Sequence, residues 1–240
     1  MRNFPPRPPL GPAALRRLTE KTNAILASPT PQALAESCYT NSRRTRWFVT
    51  SVVAALTTMV GLGGRCMFCG SSEASQVDHF MPKAVYPAQT MVWENFIWIC
   101  GLCNQHKGNE FPCDAQGNSL LINPIDDDVW LFFTIDKLGF ILPVWNMAAD
   151  DIDIRAHTTE TLYKFNRQAV QESRQKRIQS LCDHIADCVL LHSHGHLTVQ
   201  QKQERIDKWL LEPFHPEVAQ YFFRGPGRTE EPFATYLNLI

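Results

Sequence analysis

The chain of 240 residues carries 23 Lys+Arg against 24 Asp+Glu and is 44% hydrophobic, the composition of an ordinary soluble fold of one fair-sized domain or two small ones. A near-zero net charge excludes nucleic-acid binding by bulk electrostatics alone, so any such contact has to come from a local patch or a partner.

The N-terminus, MRNFPPRPPLGP, lacks the apolar core and small-residue cleavage site of a secretory signal. Four prolines in Phe4–Pro9 predict an extended segment over 1–11, either a frayed end or a docking arm. Pro12 suits the first turn of an amphipathic helix over 12–28, with Leu15, Leu18, Ile25 and Leu26 on one face. A second, more buried helix is expected over 43–60. It starts with Arg43, Arg44 and Arg46 and stops at the glycines 61, 63 and 64. Its apolar part, Phe48–Val60, is interrupted by Thr50, Ser51, Thr57 and Thr58 and is shorter than the ~20 residues of a membrane span. No membrane contact is expected, and a cytoplasmic location follows. Thiols stay reduced there, so the eight cysteines are metal ligands or core residues rather than disulfides.

Residues 65–113 are cysteine-rich. Cys66 and Cys69 form one CxxC knuckle, Cys100 and Cys103 a second. Two residues between cysteines let both sulfurs face one ion, and two knuckles complete a tetrahedral four-thiolate site, the usual structural zinc arrangement. Such a zinc has no open position and holds the fold rather than doing chemistry. Cys38, Cys113, Cys182 and Cys188 lack pairing and read as small core residues. Residues 118–128 read as a loop, 129–145 as a β-hairpin around Asp136–Gly139, and 158–192 as one long helix with a polar, basic middle (Arg167, Arg174, Lys176, Arg177). Short helices over 198–211 and 216–223 close the chain.

Between the knuckles lies Val77-Asp78-His79-Phe80-x-Pro82-Lys83, then Trp93-Glu94-Asn95-Phe96; directly after the second knuckle comes Asn104-Gln105-His106-Lys107-Gly108. An Asp-His pair alone is as often structural as functional. In this order, within Arg65–Pro112, the pattern resembles the HNH endonuclease family. The resemblance implies a ββα-metal fold: two antiparallel strands, a loop and a helix around one divalent ion. His79 matches the general base, its neutral imidazole being available at physiological pH. Asp78 matches the first ligand of a catalytic Mg²⁺ or Mn²⁺, whose preference is for hard oxygen. Asn104 matches the second ligand, where many family members carry His. His106, two residues on and on another face, is the alternative. Asn95 matches the residue that holds the loop between the strands and orients His79. Lys107 is read either as a phosphate contact or as a solvated helix charge.

Expected, then, is a mainly α chain with a small embedded ββα-metal module and a β-hairpin, an α+β protein. Its segments are a proline-rich arm (1–11), a helical region (12–64), the nuclease module with its zinc site (65–113), a loop and hairpin region (114–157) and a helical end (158–240). The implied function is metal-dependent phosphodiester hydrolysis. The alternatives are an RNase acting on structured RNA such as tRNA, and a non-catalytic zinc-knuckle module that binds nucleic acid or protein.

Outside the module, Lys107-Gly108 with Phe111-Pro112, Ile122-Asn123-Pro124-Ile125-Asp126-Asp127-Asp128, and Phe165-Asn166-Arg167 resemble the HNH component of the Septu anti-phage pair, the PtuB family, including versions beside retrons. This implies an ATPase partner subunit of the PtuA kind, or a complex with a retron reverse transcriptase. The chain itself carries no phosphate-binding loop: GLGG at 61–64 lacks the Lys-Ser/Thr that must follow. Read as a docking arm, the proline-rich segment is a low-entropy stretch suited to a partner's groove.

Overall fold

The computed structural model describes residues 4–61, 64–210 and 216–230. They fall into two compact units, 4–127 and the residues from Asp128 onward. In the first, α1 (Pro12–Leu26) begins with proline in its first turn. It buries Ala14, Leu18 and Ile25, while Leu15 and Leu26 are 49% and 62% exposed. The buried stripe is therefore turned from the one the leucines suggest. An alanine completes it, and alanine is neutral to a hydrophobic reading. A helix not foreseen from the sequence follows, α2 (Pro31–Ser42), burying Ala35, Cys38, Tyr39 and Ser42. That spacing is helical, but polar and small side chains carry it.

Arg43 and Arg44 lie in the turn after α2, not in the next helix. The chain resumes with α3 (Arg46–Phe48), widens into a π-helical stretch (Val49–Val53) and continues as α4 (Ala54–Val60). Gly61, at φ 74°, ends it in a conformation that favours glycine.

Strands β1 (Ala74–His79) and β2 (Phe96–Cys100) pair antiparallel, with His79 opposite Phe96, Asp78 opposite Ile97 and a bulge between Ala74 and Gln76. β2 reads FIWIC and is buried throughout, as expected of a strand covered on both faces. It passes directly into α5 (Gly101–Lys107), whose N-cap is Cys100. The loop between the strands holds two 3₁₀ turns, Pro87–Gln89 and Trp93–Asn95.

The second unit opens with the expected hairpin, β3 (Phe133–Ile135) against β4 (Ile141–Pro143), followed by a shorter pair, β5 (Trp145–Asn146) and β6 (Asp151–Ile152). The single helix expected over 158–192 is two: α6 (Ile154–Tyr163) and α7 (Gln168–Ser193), separated at Lys164 in the left-handed region. The break frees Asn166, whose side chain bonds both the N–H (2.9 Å) and the C=O (2.8 Å) of Ile141. Arg174, from the basic middle of the expected helix, is fully buried. It donates to the carbonyls of Gly139 and Phe165 and to the side chain of Asn166. At Gly139 a Cβ would lie 2.6 Å from backbone atoms of Gln171 and Gln175, so only glycine lets this turn approach α7. Then come α8 (Val199–Leu210) and α9 (Pro216–Ala219), the latter running into a π-helical stretch at Gln220–Arg224. The architecture is α-dominated with small antiparallel pairs, as the sequence predicts. Among the described residues no helix is long and apolar enough to cross a membrane.

Candidate active site

The two knuckles meet. The sulfurs of Cys66, Cys69, Cys100 and Cys103 all lie within 4.8 Å of one another, and all four residues are buried. Cys69 and Cys100 Sγ are 3.7 Å apart and no disulfide joins them. Four sulfurs at about 2.3 Å from a tetrahedral zinc sit about 3.8 Å apart, so the set fits zinc. The cluster clamps the end of β2 and the start of α5 to the loop before β1.

That clamp aims α5 along β1. Helix residues three apart share a face, as do strand residues two apart. Asn104 Nδ2 donates to Gln76 Oε1 at 2.7 Å, and Lys107 Nζ to Asp78 Oδ2 at 3.1 Å. Lys107 also donates to the His79 carbonyl. Its side chain is fully buried, and burial pulls its pKa down against the pull of Asp78. Lys107 is thus neither a solvated charge nor placed to meet a phosphate freely. It is an internal brace between helix and strand.

His79, at the end of β1, is 2% exposed. Its Nε2 lies 2.9 Å from the Thr90 carbonyl. A carbonyl only accepts, so Nε2 carries the proton and Nδ1 is left as the lone-pair nitrogen. Burial, only partly offset by Asp78, holds the imidazole pKa down to about 4, so the ring is neutral at pH 7. Tyr39 packs edge-on to the ring with centroids 4.5 Å apart, and Phe96 lies at 5.3 Å. Tyr39 also donates its hydroxyl to the Val77 carbonyl.

Asn95 braces the loop that follows His79. Its Oδ1 accepts from Met81 N–H at 2.7 Å. Its Nδ2 donates to the carbonyls of Met81 (3.0 Å) and Gln89 (2.9 Å), while its own carbonyl accepts from Phe80 N–H. The loop that carries Thr90 is thereby tied to the end of β1. Arg7, from the proline-rich segment, fastens the same turn from outside. Its guanidinium donates to the carbonyls of Phe96 (2.7 Å), Glu94 (2.7 Å) and Trp93 (3.3 Å) and lies over the Trp93 ring. Within the described part of the proline-rich segment, Arg7 is therefore anchored on its own chain.

Asp78, His79, Asn104 and Lys107 line one open cleft of about 700 Å³ together with Tyr39, Arg43, Arg44 and Lys83. His106 is not among its lining residues. Asn95 is not among the lining residues either and acts on the cleft only through the loop it holds. With Nδ2 on Gln76, Asn104 keeps its side-chain oxygen as an acceptor, and Asp78 keeps Oδ1. Two hard oxygen donors lining one cleft are the donor type that a small divalent cation takes.

The family comparison meets this geometry on the same residues. Residues 66–110 match the family model "HNH endonuclease". This segment is an HNH endonuclease domain. Two curated relatives align over longer stretches than the 45 residues of this match. Septu protein PtuB of Bacillus thuringiensis is 26% identical over 108 residues, 43% of this chain and 37% of that protein. Protein ea31 of Escherichia phage lambda is 35% identical over 75 residues, 30% of this chain and 25% of that protein. The chain thus spans little more than a third of the length of one relative and a quarter of the other.

Beside the HNH domain stand residues the sequence reading passed over. Tyr39 lies on the unforeseen α2, and the pattern 35, 38, 39, 42 was its available signal. Arg7 had none, because its partners lie 86 to 89 positions away.

Proposed function

We propose that the chain is a divalent-metal-dependent HNH endonuclease, with His79 as general base, Asp78 and Asn104 as ligands of a catalytic Mg²⁺ or Mn²⁺, Asn95 as the residue that positions His79, and a structural zinc on Cys66, Cys69, Cys100 and Cys103. The observation that carries the reading is a neutral imidazole with its tautomer set by Thr90, lining the same cleft as two free oxygen donors. His79 accepts the proton of the attacking water at Nδ1 as the water oxygen bonds to phosphorus and the bond to the leaving oxygen breaks. The ion, when bound, neutralises charge on the phosphate and the leaving oxygen. Asn104 is preferred to His106 as ligand because His106 does not line the cleft. Lys107 holds Asp78 and the His79 carbonyl in register.

The likeness to Septu protein PtuB supports a role as the effector nuclease of an anti-phage complex in the cytoplasm. There an ATPase partner, alone or with a retron reverse transcriptase, restrains and directs it. DNA and RNA share the phosphodiester chemistry, so the test includes both.

The purified chain is incubated with phage DNA, host DNA and total tRNA, with Mg²⁺ or Mn²⁺ and with EDTA, beside His79→Ala and together with the co-expressed partner. Metal-dependent cleavage of at least one substrate is expected, reduced about a hundredfold or more in His79→Ala with zinc content unchanged. Cleavage by His79→Ala at the parent rate would refute the role of His79. Binding without cleavage under every condition would leave the chain a zinc-knuckle binding module.

A further inference from the structure

The HNH match covers residues 66–110, yet one wall of the cleft comes from the helices before it: Glu36, Tyr39, Thr40, Arg43, Arg44 and Phe48 all line it. The charges in this cleft can be paired off. Its cations are Arg43, Arg44, Lys83 and Lys107, and its anions Glu36 and Asp78. Lys83 forms an ion pair with Glu36, and Lys107 with Asp78. Both anions are thereby matched by lysines from the module. Neither Arg43 nor Arg44 has an ion pair among the described residues. Both are exposed, in the turn between α2 and α3. A chain with formal net charge −1 therefore concentrates two uncompensated guanidinium groups on the wall of the cleft that holds His79.

We propose that Arg43 and Arg44 are a phosphate clamp that grips the nucleic-acid backbone beside the phosphodiester to be cut. The proposal rests on the endonuclease reading. A guanidinium presents a planar fork of donors that matches two phosphate oxygens and keeps its charge at any working pH. Contacts of this kind position a strand without reading its sequence. They also explain how a chain of balanced charge holds a polyanion: the needed field is local, and paired carboxylates do not cancel it. Substrate capture and bond cleavage are then divided, with the helical turn holding the backbone and the ββα module cutting it. The ligand is the phosphodiester backbone common to DNA and RNA.

The test uses the full chain. Arg43→Ala/Arg44→Ala is compared with the parent for KM and kcat. In a His79→Ala background, both are compared for binding of a labelled DNA duplex, its single strand and tRNA across a range of salt concentrations. Two lost phosphate contacts should lower the slope of log K against log salt by about 2 on duplex and somewhat less on single strand, and weaken KM and Kd by roughly ten- to a hundredfold at moderate salt. Zinc content, melting temperature and kcat at saturation should stay at parent values. Arg43→Lys/Arg44→Lys should recover the salt slope but only part of the affinity. Lys137→Ala/Lys208→Ala removes the same charge from exposed positions in the other unit and should do neither. Equal binding and slope for parent and double variant, including no binding by either, would overturn the clamp; so would an equal loss in the lysine control. Clamp-dependent binding in a chain that never cleaves would uphold Arg43 and Arg44 as the phosphate-gripping pair while ending the endonuclease reading, so the two fail separately.

Discussion

Asn95 uses its whole side-chain amide on the backbone of the loop, with one acceptor and two donors all engaged and 5% of the residue exposed. Asn95→Ala would leave Met81 N–H and two carbonyls without these partners in a largely buried place. The cost is roughly 3 kcal/mol, since an orphaned buried group loses more than the net value of its bond. Urea unfolding should show that loss. Activity should fall further than stability predicts, because the loop bearing Thr90 sets the His79 tautomer. An Asn95→Ala protein as stable as the parent would show that the loop is held by packing alone. Lys107 teaches the converse lesson at the same scale. In sequence it is one more charge on a short helix. In the fold it is buried, and two oxygen partners compensate it.

At the scale of elements, a two-stranded ribbon followed by a seven-residue helix is too small to be stable alone. The four cysteines tie its ends together. Cys66→Ser is therefore expected to lose stoichiometric zinc and the cooperative melting of the protein, because binding energy at a structural zinc is folding energy. Metal analysis and circular dichroism check this, and zinc-free protein melting like the parent would refute it. The proline-rich segment is a second tie. Pro-rich chain is extended and loses little entropy on docking, and Arg7 supplies the anchor through three carbonyls. Arg7→Ala should cost about 2 kcal/mol, in the range of charge-assisted bonds. Arg7→Lys should restore only part, since an ammonium cannot fork to Phe96 and Glu94 together. Thermal unfolding of the three proteins is the measurement. Equal melting temperatures would mean the arm contributes nothing to this fold.

For the whole molecule, the HNH match is a minority of the chain, but the unit 4–127 contains every residue assigned to the site: the knuckles, β1, the Asn95 turn, α5, α2 and Arg7. The fragment 4–127 should then fold alone, bind one zinc and retain His79-dependent cleavage. Recovery of that fragment as zinc-free or unfolded protein would show that the second unit is needed for the fold. That second unit has its own core, around the fully buried Arg174, Tyr163 and Phe165.

Each knuckle was legible in sequence because its geometry is local, and the order Asp78-His79, Asn95, Asn104 because it is a pattern of residue types along the chain within the segment that matches the family model. Two residues between cysteines aim both sulfurs at one point whatever surrounds them. The hairpin at 133–143 was legible for the same reason, its turn signal lying between its own strands. The buried stripe of α2, the break between α6 and α7, the burial of Lys107 and Arg174, and the docking of Arg7 were decided only by the tertiary structure. Each depends on a partner far along the chain: Tyr39 on Val77, Asn166 on Ile141, Lys107 on Asp78, Arg174 on Gly139, Arg7 on Phe96. Periodicity reports which face of an element prefers to leave water. It carries no information about which distant carbonyl or carboxylate will be there to compensate a buried charge, and that compensation determines whether a cation ends up in the core or, like Arg43 and Arg44, stays free in the cleft.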